Sequence, residues 1–171
     1  MKLLIPLSEN GYLPDMYGKY APRGACMGGN PVVSFPFTVE DPPSGVRSYA
    51  LVMIDYDSTP VCGFPWIHWI MCDLPGDSRG LPENASALCA YGIVQGRNSS
   101  ASRFVGERDP RVFCRYCGPL PPDKDHEYTV TLYALDTPSL GLKEGFFLSD
   151  LLHAMKGHIL SSDTVGVMSR R

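Results

Sequence analysis

Asp125-His-Glu-Tyr-Thr-Val-Thr-Leu-Tyr-Ala-Leu135 reads as a strand, with β-branched and aromatic residues alternating along it. Strand side chains point to opposite faces in turn, so His126 and Tyr128 share one face. The stretch follows Tyr116-Cys-Gly-Pro-Leu-Pro-Pro122, a loop stiffened by its prolines. An imidazole and a phenol beside a proline-walled rim make a cup suited to an anion.

Working outward, Arg47-Ser-Tyr-Ala-Leu-Val-Met-Ile54 is apolar on both faces, which predicts a central strand covered on each side and ending at Asp55. Ile67 to Asp73 and Tyr128 to Leu135 read as two further central strands. Val32 to Phe37 reads as an edge strand, because Pro36 cannot donate to a ladder. Ala87 to Val94 is a less regular strand, and Thr164 to Met168 closes the sheet. One segment is helical: Ser149 is the expected N-cap, Leu151, Leu152, Met155 and Ile159 form the apolar stripe, and Gly157 ends it. Phe146 and Phe147 anchor that helix to the sheet, and His153 and His158 take capping or packing roles. The expected fold is mainly β, a single-domain sandwich over residues 1–171 with a short C-terminal helix.

The 171 residues are 44% hydrophobic and 19% charged, enough to bury a core and far from a disordered composition. The 17 glycines and 16 prolines show no period and imply many turns between short strands. A net charge of −3 without a basic cluster argues against nucleic acid. No apolar run spans a bilayer, and Met1-Lys-Leu-Leu-Ile-Pro-Leu7 is too short an apolar run for a secretory signal, so the chain reads as cytoplasmic. Its six cysteines are too sparse for a disulfide scaffold and are expected to be reduced thiols. Cys114-Arg-Tyr-Cys117 has no second Cys-x-x-Cys and reads as two loop cysteines.

Two segments bring matching chemistry: Asp55-Tyr-Asp-Ser-Thr-Pro60 and Trp66-Ile-His-Trp-Ile-Met-Cys-Asp73. The period of two places Trp66, His68, Ile70 and Cys72 on one face. Taken singly, a strand histidine beside an aspartate fits a satisfied buried pair; two such strands beside a glycine-proline rim fit a site. Ionised Asp55 bound to an imidazole would fix its tautomer and leave the other nitrogen as a donor. His68 or His126, the Tyr128 hydroxyl and backbone N–H groups around Gly118 would then converge on a phosphoryl group. Trp66 and Tyr56 would cover an adjoining head group, and Arg97 and Asn98 would border the pocket. Two histidines and an aspartate could ligate zinc, but the tight ligand spacing is absent, and no nucleophile motif is present. Metal ligands, catalytic residues and cofactors are therefore not expected.

Gly28-Gly-Asn30, Asp55-Tyr-Asp-Ser-Thr-Pro60, Trp66-Ile-His68, Gly96-Arg-Asn98, Tyr116-Cys-Gly-Pro-Leu-Pro-Pro122, His126-Glu-Tyr128 and Ala154-Met-Lys-Gly-His158, in this order, resemble the phosphatidylethanolamine-binding protein family in its bacterial Raf-kinase-inhibitor-like branch. The resemblance implies a β-sandwich with a small anion pocket. Asp55, Asp57, His68, Gly118, Pro121, His126 and Tyr128 match its pocket positions, with Trp66 close by. The chain departs from the family where Asp-Pro-Asp-Ala-Pro becomes Asp55-Tyr-Asp-Ser-Thr-Pro60 and His-Arg-Tyr becomes His126-Glu-Tyr128. The implied function is non-catalytic binding of phosphate, a phosphorylated head group or a carboxylate, with regulation of a protein partner. A kinase or peptidase inhibitor acting through the rim loops is the alternative, and a phosphoester hydrolase a third reading. The resemblance also suggests a homodimer.

Overall fold

An apolar run such as Tyr49 to Ile54 gains most where both of its faces are covered, and Ser48–Asp55 takes the middle of a five-stranded sheet. The computed structural model describes residues Met1–Arg171. Its strands are β1 (Lys2–Leu4), β2 (Cys26–Met27), β3 (Asn30–Pro31), β4 (Phe37–Glu40), β5 (Ser48–Asp55), β6 (Trp66–Pro75), β7 (Gly80–Leu81), β8 (Val94–Gln95), β9 (His126–Leu135) and β10 (Ile159–Ser169). The helices are short: α1 (Thr59–Cys62), α2 (Ala85–Leu88), α3 (Pro110–Phe113) and α4 (Leu148–Ala154).

The large sheet runs β10-β9-β5-β6-β8 with every pair antiparallel, and β1-β4-β7 forms a smaller antiparallel sheet. The main core lies between them. Leu3, Phe37, Val39 and Leu81 of the small sheet meet Tyr49, Leu51, Met53, Trp69, Met71, Val130 and Leu132 of the large one. Phe35, Trp69 and Tyr116 interlock there edge to face, the arrangement that ring quadrupoles favour. On the opposite face of the large sheet, Ala50, Val52, Ile70 and Cys72 pack under Phe146, Leu151 and Met155. The central strand is thus apolar on both sides because each side has its own core.

Three elements differ from the sequence reading. Val32 to Pro36 belongs to no strand, its backbone bonds going to Ala25 and Asn84, and the strand starts only at Phe37; Pro31 and Pro36 bracket the segment and remove ladder donors. Ala87 to Val94 is not a strand. Asn84, Cys89 and Tyr91 take left-handed backbone angles, which break the segment into α2, a 3-10 turn at Ala90–Gly92 and the two-residue β8. The C-terminal helix is capped at Phe147, whose N–H donates to Asp150 Oδ2 at 2.9 Å, instead of at Ser149. Leu151 and Met155 are buried under it, whereas Leu152 is exposed and Ile159 already begins β10. Thr164 to Met168 belongs to that longer strand, which forms one edge of the large sheet. Part of its outer margin is covered, because Leu13 N–H donates to Met168 O at 2.8 Å and Met168 N–H to Gly11 O at 3.0 Å.

Candidate functional site

Asp55 is the last residue of the central strand β5, and the following turn is knotted around Ser58. Ser58 N–H donates to Asp55 Oδ1 at 3.0 Å, Ser58 Oγ donates to Asp55 O at 2.7 Å, and Ser58 Oγ accepts from Trp66 N–H at 2.9 Å. These bonds fix the carboxylate against the start of β6. On β9, alternation carries His126 and Tyr128 to the same side, and Asp55 pairs directly with Tyr128 in register.

His68 reaches that side by an irregularity. Met53 pairs with Trp69 and Ile54 with Ile67, which leaves His68 as the extra residue of a β-bulge. A bulge shifts the alternation and re-aims a side chain. Ile70 and Cys72 accordingly lie in the outer core, while the His68 ring meets the Tyr128 ring at 5.0 Å, edge to face. The expectation that Trp66, His68, Ile70 and Cys72 share one face is corrected by this one-residue slip. Trp66, opposite Asp55 in register, remains on the pocket side, stacked on Phe64.

Together these residues line a cavity of about 270 Å³. Its floor holds Asp55, His68, His126 and Tyr128; its walls are Val61, Cys62, Trp66, Leu120, Pro121 and Pro122, with Ser58, Cys117 and Gly118 completing it. Asp57 stands outside this lining, where it accepts from Glu127 N–H at 3.1 Å and Lys124 Nζ at 3.2 Å and fastens the turn to β9. Those bonds, the Glu127 amide first, hold its carboxyl below the ordinary range. Tyr56 does not cover the cavity: it faces a groove with Val52, Ile54 and Leu152 on the other side of the sheet. Arg97 and Asn98 also lie elsewhere. The Arg97 guanidinium sits over the Phe113 and Phe147 rings, and the Asn98 amide donates to Val112 O and Arg115 O.

Asp123 is the member that the sequence reading missed. His126 Nδ1 lies 2.8 Å from Asp55 Oδ2, and its Nε2 lies 2.8 Å from Asp123 Oδ1. Burial opposes charge on His126, yet the hydrogen bonds and charges of both carboxylates outweigh it and raise its pKa. The imidazolium is held between two anions, so its second nitrogen is not left free as expected. Asp123 sits three residues before His126 in the rim loop, where no periodicity tells which way a side chain points.

His68 is the opposite case. Its Nδ1–H donates to Cys117 O at 2.6 Å. Burial, the largest influence, pushes its pKa well down; the Cys117 bond and the Asp55 charge restore only part, and the His126 charge lowers it further. The ring is neutral with Nε2 as acceptor. Burial, then the charge and hydrogen bond of Asp55, raise the Tyr128 phenol far above its usual range, so it keeps its proton. Asn84 Oδ1 is the one buried side-chain polar atom without a partner, so His68 Nε2, which has none in the protein, reaches the open cavity, while the Tyr128 hydroxyl lies toward Asp55. Two of the backbone donors expected around Gly118 are already used: Gly118 N–H donates to Pro31 O at 2.8 Å and Cys117 N–H to His68 O at 3.1 Å.

A family model described as phosphatidylethanolamine-binding protein matches residues 6–170. The chain belongs to the phosphatidylethanolamine-binding protein family. Among relatives of this phosphatidylethanolamine-binding family member, YxkA of Bacillus subtilis is 48% identical over 166 residues, covering 97% of this chain and 98% of its own. A UPF0098 protein of Methanothermobacter thermautotrophicus is 35% identical over 156 residues, covering 90% and 92%. The crystal structure of a family homologue from Chlamydia trachomatis, CT736, matches with a TM-score of 0.74 at 29% identity over 94% of this chain and 90% of that one. Escherichia coli YbcL shares the fold at a TM-score of 0.77 and 21% identity over 99% and 98%. The mainly β sandwich is thus the family fold, and membership makes this a ligand-binding protein in the general sense. No helix is long and apolar enough to cross a membrane.

Proposed function

We propose that the cavity binds a small anionic ligand, a phosphate, phosphorylated head group or carboxylate, and carries out no chemistry on it. The observation that carries this reading is the convergence of the Tyr128 hydroxyl and His68 Nε2 on the floor of one apolar-walled cavity, with the His126 imidazolium beside them. The remaining wall hydroxyl is a poor nucleophile, because Ser58 Oγ is committed to Asp55 O, Phe64 O and Trp66 N–H. The cavity volume suits a head group and leaves the rest of a larger ligand against Trp66 and Leu120.

A ligand that binds only the native state stabilises it by RT ln(1 + [L]/Kd), about 2.7 kcal/mol at one hundred times Kd. Inorganic phosphate or phosphoethanolamine should therefore raise the Tm of the wild type, and Tyr128→Phe should remove most of that rise. An unshifted Tm with every small anion tried would sink the proposal. Val61, Phe64 and Leu120 leave apolar surface exposed near the mouth, which favours a second reading, docking of a protein partner such as a kinase or peptidase. A pull-down retained in Tyr128→Phe but lost in a Phe64→Ser, Leu120→Ser double variant would favour it.

A further inference from the structure

Outside the cavity, the loop between Asn98 and α3 carries the most exposed large apolar side chain of the molecule. Phe104 is 84% exposed, and its neighbour Val105 is exposed as well. A single apolar residue in water is ordinary; two adjacent ones at the apex of an ordered turn mark a contact surface. The turn holds them outward. Val105 N–H donates to Ser102 O at 2.9 Å, Gly106 N–H to the same oxygen at 3.3 Å, and Phe104 N–H to Ser102 Oγ at 3.3 Å. Gly106 closes it with a φ of 81°, in the left-handed region that glycine enters freely. The base is tied down: Ser100 N–H donates to Asn98 Oδ1 and Ile67 N–H of β6 to Ser99 Oγ, each at 2.9 Å.

Charge is distributed unevenly over the same loop. Between Ser99 and Arg115 stand four cations, Arg103, Arg108, Arg111 and Arg115, and two anions, Glu107 and Asp109, an excess of two positive charges in a chain whose net charge is −3. Exposure sorts them further. Arg111 is paired with Asp109 and Arg115 with Glu144, and Glu107, half-buried, turns back to accept from the Arg108 and Asp109 amides at 2.7 and 2.8 Å. Arg103 and Arg108 are exposed and have no ion pair; the Arg103 guanidinium lies over the Phe104 ring, 5.0 Å from its centre. The outward side of the loop is therefore apolar at its apex and cationic at its flanks, with its two acids drawn inward.

A protein partner would need a pocket shaped to a protruding ring. A bilayer interface accepts a convex apolar tip without one, and exposed arginines meet its phosphates. We infer that Arg103–Arg108 is a docking tip for anionic phospholipid surfaces, with Phe104 and Val105 entering the boundary between head groups and acyl chains and Arg103 and Arg108 held at the lipid phosphates. The attachment is peripheral, since no helix is long and apolar enough to cross a membrane. Two apolar side chains and two free cations give a weak, reversible and salt-sensitive contact. It draws on no residue of the cavity lining.

The test is co-sedimentation of the protein with vesicles of phosphatidylglycerol and phosphatidylcholine in equal parts, and with vesicles of phosphatidylcholine alone, at low and at high salt. The protein should sediment with the mixed vesicles at low salt and be released by salt or by removal of the anionic lipid. Phe104→Ser should weaken the partition about tenfold or more and Arg108→Gln about fivefold. Neither side chain packs against the body of the protein, so both variants should keep the wild-type Tm. Tyr128→Phe, a change on the cavity floor, should bind vesicles as the wild type does. Full binding by Phe104→Ser, equal binding to the neutral vesicles, loss of binding in Tyr128→Phe, or no binding to either vesicle overturns the inference, and none of these results bears on the anion-binding reading of the cavity except the loss in Tyr128→Phe, which would place the lipid there.

Discussion

His126 Nδ1 and Asp55 Oδ2 lie 2.8 Å apart with side chains only 1% and 5% exposed. Removing the buried member of a buried pair costs about 3–5 kcal/mol when nothing else answers the charge left behind, and here only the half-exposed Asp123 remains. Asp55→Ala should lose that much by denaturant unfolding at pH 7. Asp123, whose side chain is 48% exposed, holds the other nitrogen over the same distance, yet Asp123→Asn should lose less than about 1 kcal/mol because water screens the pair. Equal losses in the two variants would show that the buried and exposed carboxylates do not differ in this way.

The two pocket histidines give stability opposite pH dependences. His68 has a folded pKa depressed below its unfolded value near ~6.5, so its contribution is full above that pH and falls as the medium is acidified, by about 1.4 kcal/mol per unit until the folded pKa is reached. His126 has a raised folded pKa, so its contribution is full below ~6.5 and is lost as pH climbs through the folded value. Unfolding free energies of His68→Gln and wild type between pH 7 and 5 should converge as pH falls, the wild type losing stability faster. Parallel curves would refute the assignment of a neutral His68.

Gly118 serves a close approach of chains and needs no left-handed backbone: a Cβ there would lie 2.3 Å from Tyr17 O and 2.9 Å from Pro31 Cβ. Gly118→Ala should push the rim outward, break the Gly118 N–H bond to Pro31 O and lower stability by about 1–3 kcal/mol in a thermal melt. An unchanged Tm would mean that the rim yields freely.

All six cysteines are free, and exposure sorts them. Cys62 and Cys89 should react with a thiol reagent within the native protein, whereas Cys72 and Cys117 should wait for unfolding; burial raises both thiols, Cys117 to about 11. Cys62 lines the cavity, so saturating phosphate should slow its labelling and leave that of Cys89 unchanged. Equal rates for Cys62 with and without phosphate would place the anion elsewhere.

The parts of this fold that obey a simple period were legible in the sequence. Val52 and Leu51 fall into different cores because β5 alternates without interruption up to Asp55, and His126 and Tyr128 share a face for the same reason. Where the period breaks, sequence reasoning went wrong in proportion. His68 was placed with Ile70 because a bulge leaves no mark on composition, and Asp123 went unseen because a loop has no face. Ala87 to Val94 looks apolar enough for a strand, but Cys89 and Tyr91, both exposed, take left-handed backbone angles that their residue types do not announce. The absent helix cap at Ser149 has a similar origin: Asp150 serves the Phe147 amide instead.

The extra residue at His68 also ties the cavity to the interior of the molecule. Trp69 and Met71 fill one core and Ile70 and Cys72 the other, immediately downstream of the slip. Deleting one residue between Trp66 and Trp69 could not restore a regular ladder without either turning the imidazole out of the hollow or exchanging an indole for an isoleucine in the heart of the sandwich. Along β6, then, the kind of side chain can change without disturbing either core, but the number of residues cannot.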